Sequence, residues 1–519
     1  MARPYLRHGS ACAFMLVCLW MSGGQDAGAQ ERDPELEALK RQMEELMQRN
    51  TEQQKQIDTL QRQIEGLDRG TPKAAEVEAE PVDPDAALEE ALQEVEVEKQ
   101  PATAAATSPS ILSRRLGSAE LRLIDISFVI LGAAGWSTEK GSSLRDLQGG
   151  AHDPNRRGFT LQQGELSLSG AVDPYFTGES HIVFGTDFVE FEEGFFTTTS
   201  LPYGLQLEGG HFFTEFGRIN PVHPHAWRWV DQPIINTRLF GGDGLRAPGV
   251  RVGWLTPLPW FSELHVGAQD ADEGETTASF LSGEAIGGRP AVDRDIDSLE
   301  DLLYLTRWAN AWDVTDELST LVGVSGLFGP NSTGDDVRTF IYGADLTMKW
   351  RPANNFRGWP FLEWQTEVMK RDYTADFFIA GTDTGGGDAG GHSHGGEEEP
   401  AEEESEFTQN LPGDILRDWG GYTQLLWGFR YPWAAGLRFE YVSGHGQSVV
   451  EGVQVSRSED PFRDDRYRVS PLLTYHPSEF SRLRLQYNFD DAKHLVGDDA
   501  HSVWLGVELL YGSHAAHKY

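Results

Sequence analysis

From residue 121 onward the chain alternates apolar and polar residues, in runs long enough to cross a bilayer. In SRLRLQYNFD (481–490), Leu483, Leu485, Tyr487 and Phe489 fall on one side, with Arg482, Arg484, Gln486 and Asn488 on the other. HSVWLGVELLY (501–511) sets Val503, Leu505, Val507, Leu509 and Tyr511 against Ser502, Trp504, Gly506 and Glu508. In AGLRFEYVS (435–443), Leu437, Phe439 and Tyr441 oppose Arg438 and Glu440. Successive side chains of an extended backbone point to opposite faces, so period two marks a strand with one apolar face. Strands of a soluble sandwich alternate too, but few exceed about nine residues. Many here reach the roughly ten that a tilted strand needs to span hydrocarbon.

The connections sharpen this. Sixteen strands can be read, the first at 121–133, the twelfth at 420–431 and the last at 500–511. Compact turns, VDPY (172–175), SLPY (200–203), TPLP (256–259), RPANN (351–355), YPW (431–433) and HPSE (476–479), mostly alternate with long polar connections. Short periplasmic turns and long external loops are the asymmetry of outer-membrane barrels. An even strand count returns the C-terminus to the periplasm, and a barrel of about sixteen strands encloses an aqueous channel. The expected fold is all-β: a 16-stranded antiparallel transmembrane β-barrel over 119–519, porin-like, preceded by an N-terminal coiled-coil helix.

Residues 1–29 read as a signal peptide, with Arg3 and Arg7, an apolar core from Ala11 to Met21, and Ala27-Gly28-Ala29 before the cleavage point. The only cysteines, Cys12 and Cys18, lie inside it, so the mature chain is expected to have neither a disulfide nor a thiolate. No later stretch approaches about 18 consecutive apolar residues, so no membrane helix is expected. Residues 30–69 carry five heptads. Leu36, Met43, Asn50, Ile57 and Ile64 occupy a positions, and Leu39, Leu46, Gln53, Leu60 and Leu67 occupy d. This pattern favours a periplasmic coiled coil and a homo-oligomer, although Ile at a, Leu at d and a buried Asn do not by themselves specify a trimer. Residues 70–118 form an acidic linker rich in Ala, Glu and Pro, of the composition that stays disordered. A TonB-dependent receptor would need a folded plug ahead of about 22 strands, and only coil and linker precede this barrel. The formal charge of −38 excludes nucleic acid as a partner, because phosphate backbones are bound by clustered Lys and Arg.

The connection after the fifth strand is the third external loop, 214–247, dense in aromatics that gain by leaving water. Folded into the barrel, it would bring His223, His225, Trp227, Arg228, Asp231 and Arg238 to a constriction, where such groups set ion selectivity. His223-Pro224-His225 can equally be a rigid turn packed on the wall, and two imidazoles need further donors to close around Zn²⁺. The strand pattern points Glu363, Glu367, Arg438, Glu440, Arg482 and Arg484 into the lumen as a mixed-charge lining. In the sixth external loop, His392 and His394 precede Glu397 and Glu398 between glycines. They read as a plain solvated loop or as a flexible external site for Zn²⁺, rather than as a preorganised centre. The runs FEEG (191–194) and EEESE (402–406) read as solvated charge rather than an acid/base pair. No cysteine nucleophile, HExxH or GxSxG occurs in the mature chain, so no enzyme is expected and no cofactor is required.

GGHFFTEFGRINPVHPHAWRWVDQPIINTRLFGGDGLRAPGVRV (209–252) and DRYRVSPLLTYHPSEFSRLRLQYNFD (465–490) resemble phosphate-selective porins O and P. HPHAWRWVDQP, the His-rich acidic loop and the terminal HAAHKY are closer to proteins labelled zinc-regulated outer-membrane proteins. The resemblance implies an outer-membrane channel and an association with zinc. Phosphate-selective porins line their channel with an Arg/Lys ladder, from which the mixed charge here departs. The expectation is a porin-like channel in the bacterial outer membrane, surrounded by lipid and oligomeric through coiled coil and barrel wall. It would pass small solutes or ions and be linked to zinc uptake. The alternative is a metal-capture or adhesive surface protein without transport.

Overall fold

The computed structural model describes residues 113–116, 119–122, 124–379 and 410–512, apart from residues 293 and 451. The signal peptide, the heptad positions from Leu36 to Leu67, and the His392, His394, Glu397 and Glu398 group lie outside the described residues. Sixteen antiparallel strands close into a single barrel. They are β1 (Asp125–Ser137), β2 (Gly158–Ala171), β3 (Phe176–Phe184), β4 (Val189–Thr198), β5 (Leu205–Phe213), β6 (Arg246–Leu255), β7 (Phe261–Gln269) and β8 (Leu303–Thr315). The second half comprises β9 (Leu318–Pro330), β10 (Arg338–Trp350), β11 (Phe361–Ala375), β12 (Asp414–Arg430), β13 (Trp433–His445), β14 (Arg466–Ser478), β15 (Ser481–Ala492) and β16 (Asp499–Gly512). Each strand pairs with its sequence neighbours, and β16 closes on β1 with Val503 opposite Trp136 and Leu505 opposite Ala134.

Several boundaries differ from those expected, those of β1 and β12 among them. β1 begins at Asp125 rather than 121 and runs on through GAAGWS, whose small residues carry no alternation signal. β12 begins at Asp414 rather than 420, because Arg417 on the outer face and buried Asp418 on the inner face resemble loop text.

Burial follows the alternation. On β12, Ile415, Trp419, Leu425, Trp427 and Phe429 are exposed, while Asp418, Tyr422 and Gln424 are buried. On β13, Leu437, Phe439 and Tyr441 face out, with Arg438 and Glu440 inward. On β16, Val503, Leu505 and Leu509 oppose Ser502 and Trp504. Such an outer surface costs about 25 cal/mol per Å² in water and nothing in hydrocarbon. The wall is therefore that of a membrane-spanning barrel. Exposed Tyr203, Trp254, Trp260, Trp312, Trp427, Trp433 and Tyr511 gather toward the short-turn rim, where amphipathic rings suit the headgroup layer.

The third loop, between β5 and β6, turns inward. Its helix Ile234–Phe240 is preceded in sequence by a shorter one, Ser142–Leu147, in the first loop; these are α2 and α1. Ile234, Ile235, Leu239 and Phe240 of α2 pack with Phe216, Phe280, Leu305, Ile341, Met369 and Val442 in an apolar cluster inside the barrel. Gly217 shows how closely the loop approaches the wall. At its φ of 64°, an added Cβ would lie 1.5 Å from a Glu367 carboxylate oxygen, and the neighbouring Arg218 N–H donates to that same oxygen at 3.2 Å.

Candidate functional site

Three groups of wall residues receive the third loop. The first is acidic. Between β3 and β4 the register slips, so Glu193 lies opposite His181 and Phe191 opposite Ile182, leaving Glu192 as the extra residue of a β-bulge. A bulge interrupts the pleat for one position. Consequently Glu192 and Glu193 both point inward and are buried. Glu165 of β2, fully buried, stands beside them and accepts from Ser167 Oγ at 2.9 Å and Gln163 Nε2 at 3.0 Å. FEEG is thus not solvated charge, and this corrects the sequence reading.

The two histidines of the third loop meet this acidic group. His223 Nε2 lies 2.6 Å from Glu193 Oε2. His223 Nδ1 is 3.0 Å from Glu192 Oε2 and 3.5 Å from Glu165 Oε1. His225 Nδ1 is 2.8 Å from Glu165 Oε2, and His181 Nδ1 3.1 Å from Glu165 Oε1. Burial alone would lower the pKa of the His223 imidazole, but Glu165 and Glu192 outweigh it and hold the pKa well above the usual range.

The second group is a cage around Asp231, whose side chain is wholly buried. Its carboxylate accepts from Arg438, from Arg468 at 3.0 Å, from Gln486 at 2.8 Å and from Asn488 at 2.9 Å. Burial opposes its charge, but Arg438 and Arg468 prevail and hold the acid at a pKa of about 2. Glu440 ion-pairs with Arg438 at 2.7 Å and accepts the first N–H of α2, from Ile234, at 2.7 Å. Below the cage, Arg484 donates to the Trp227 and Trp229 carbonyls at 3.1 and 2.8 Å, and Arg482 to that of His225 at 2.6 Å. Arg482 also pairs with Glu508.

The third group lies toward the short turns. Arg228, its side chain 37% exposed, makes a two-pronged contact with Glu363 at 3.2 and 2.9 Å, and Lys349 approaches Glu363 at 3.9 Å. At the opposite, long-loop end the first loop closes over the third. Asp153 Oδ1 accepts from Gln232 N–H at 2.9 Å, and the Leu147 carbonyl accepts from Arg466 and Arg468 at 2.6 Å each. Burial, and then the nearby Asp231 charge, push Asp153 up to about 7 against the pull of the Gln232 and Gly150 N–H groups and Arg468.

The constriction residues expected from sequence are therefore all inside the barrel. His223 and His225 face the acidic group and Asp231 sits in the cage. Trp227 is buried, donating to the Val222 carbonyl at 2.8 Å. Arg228 reaches the open short-turn side, and Arg238 holds Asp464 at 2.9 Å. Of the expected lining, Glu363 and Arg482 lie toward the short turns. Glu367, Arg438, Glu440 and Arg484 also face inward, but the third loop lies directly on them. Sequence reasoning missed Glu165, His181, Glu192, Glu193, Arg468, Gln486 and Asn488. Glu165 and Arg468 were recoverable as charges at inward positions of alternating strands. Glu192 was not, because its direction depends on the bulge.

No family model matches the chain. An uncharacterized protein of Aquifex aeolicus (strain VF5) is 29% identical over 387 residues, spanning 70% of this chain and 71% of that protein. Among solved structures, the chain is similar to the outer membrane channel DcaP of Acinetobacter baumannii, with TM-score 0.46 and 11% identity over 75% of this chain and 97% of that one. It is also similar to an anion-selective porin from Comamonas acidovorans, with TM-score 0.43 and 8% identity over 75% and 99%.

Proposed function

We propose that the chain is an outer-membrane channel for small solutes or ions, with throughput set by the third loop. The observation that carries this is a closed barrel, apolar outside and rich in ionisable side chains inside, crossed by a loop held through side chains. Residues 214–245 contain no strand, so the loop is fastened to the wall by ion pairs, hydrogen bonds and the apolar face of α2. A loop held this way can be displaced without opening the barrel's hydrogen-bond ladder.

The charge pattern argues against a phosphate channel. Arg438, Arg468, Arg482 and Arg484 are engaged by carboxylates or loop carbonyls, rather than forming an uncovered ladder. Mixed charge at the short-turn side, with Arg228 and Lys349 around Glu363, supports weak selectivity. In this reading the signal at 1–29 exports the chain and the heptads at 30–69 join copies in the periplasm. The zinc association implied by the resemblance stays part of the proposal. Planar-bilayer recording on the purified protein tests it: stepwise conductance is expected, and its absence in every salt would sink the channel. Reversal potentials across a salt gradient then give the sign of the preferred ion.

A further inference from the structure

We propose that the acidic group and the third loop together form a site for a divalent transition-metal ion, Zn²⁺ by donor chemistry, inside the barrel. His223 Nδ1, His225 Nδ1 and a Glu165 oxygen would bind it, with Glu192 as the fourth donor. The two histidines and Glu165 present ligand atoms that all lie within 4.8 Å of one another. Bonds of about 2.0–2.1 Å in a tetrahedron place ligand atoms roughly 3.3 Å apart. The observed separations are of that size: 2.8 Å from His225 Nδ1 to Glu165 Oε2, 3.5 Å from His223 Nδ1 to the other Glu165 oxygen, Oε1, and 3.0 Å from His223 Nδ1 to Glu192 Oε2.

Two buried atoms without hydrogen-bond partners give an independent reason. His223 Nε2 lies 2.6 Å from Glu193, and Nδ1, on the other side of the ring, faces the carboxylates of Glu192 and Glu165. The Nδ1 to Glu192 approach lacks hydrogen-bond geometry, although both atoms are buried. A metal cation seated between them would engage the ring nitrogen and both carboxylates at once. The surroundings fit as well. Metal-bound histidines usually donate their other N–H to a carboxylate, and bound carboxylates are themselves hydrogen-bonded. Glu193 fills the first role, and Ser167 and Gln163 the second.

The donor set selects the ion class. Two imidazoles disfavour Mg²⁺ and Ca²⁺, which take oxygen ligands, and the group contains no sulfur to favour soft ions. Such a site would clamp loop to wall, with His223 and His225 on the loop and Glu165 and Glu192 on β2 and β4. This site is distinct from the external His392 and His394 group, and it stands or falls independently of any conductance.

The test is calorimetric titration of chelator-stripped, full-length protein with ZnSO₄, alongside a 383–406 deletion. One equivalent per chain, retained in the deletion, is expected. Glu165→Gln with His225→Ala should weaken binding by more than about 100-fold, and Glu193→Gln by about 10–100-fold. Absence of stoichiometric binding, loss of all binding in the deletion, or unchanged affinity in the double variant would overturn the site. Should the double variant fail to form a barrel, X-ray absorption on Zn²⁺-loaded wild type decides. Two imidazole nitrogens in the metal's first shell sustain the proposal, and an all-oxygen shell overturns it.

Discussion

Asp231→Ala is the substitution that most directly asks whether side chains hold the third loop in place. In the native cage, Arg438, Arg468, Gln486 and Asn488 converge on one carboxylate. Removing one partner of a buried ion pair costs about 3–5 kcal/mol, because the other charge stays desolvated. Here the lower end applies. Arg438 keeps Glu440 at 2.7 Å, and Arg468 keeps Asp490 at 2.8 Å. A loss of about 3 kcal/mol is roughly two decades in the ratio of seated to displaced loop, at about 1.4 kcal/mol per decade. The barrel ladder is untouched, so β-sheet content and barrel melting should match wild type. Single-channel recording should show open probability rising by about two orders of magnitude, up to saturation, and hydrogen exchange over 222–240 should accelerate by a similar factor. The pH dependence has a definite sign. Asp231 falls from its usual 3.8 to about 2 on folding, so its stabilisation is full above pH 3.8 and disappears as pH drops through 2. Exchange over 222–240 indistinguishable from wild type at neutral pH would refute the cage as the loop's fastening.

Other substitutions separate the remaining contributions. Trp229→Ala empties the packing against Leu426, Ala434 and Leu472 and should cost about 3–5 kcal/mol of loop seating, again measured by exchange over 222–240. Asp153 moves in the opposite sense to Asp231. Its rise from 3.8 to about 7 means the seated state retains the proton, so this contribution is present below pH 3.8 and is lost as pH rises through 7. Protection around Gln232, taken relative to the intrinsic exchange rate at each pH, should therefore fall between pH 5 and pH 8, and Asp153→Asn should abolish that fall. Leu505→Arg places a charge on the lipid face and should destabilise folding into vesicles by about 2–4 kcal/mol if the position is near mid-bilayer. The same substitution at inward Trp504 would remove packing without that membrane penalty.

The barrel was legible because its signal is redundant. Each strand repeats the same in–out alternation, so the division of Leu437, Phe439 and Tyr441 from Arg438 and Glu440 needed no knowledge of partners. Its ends were less legible where small residues such as those of GAAGWS erase the alternation. The inward fold of the third loop was accessible as an energetic expectation, since Trp227 and Trp229 could not all remain in water. Its fastenings were not. Asp231 meets Arg468 and Asn488 from strands more than two hundred residues later, and no local pattern encodes such a meeting. Glu192 and Glu193 make the point most sharply. Strict alternation turns one of two adjacent glutamates outward, where it reads as solvated charge. The bulge opposite His181 turns both inward, and that single-residue slip converts an ordinary acidic run into the carboxylate side of a His/Glu group. The chemistry of the lumen therefore depends on a break in the very periodicity that reveals the fold.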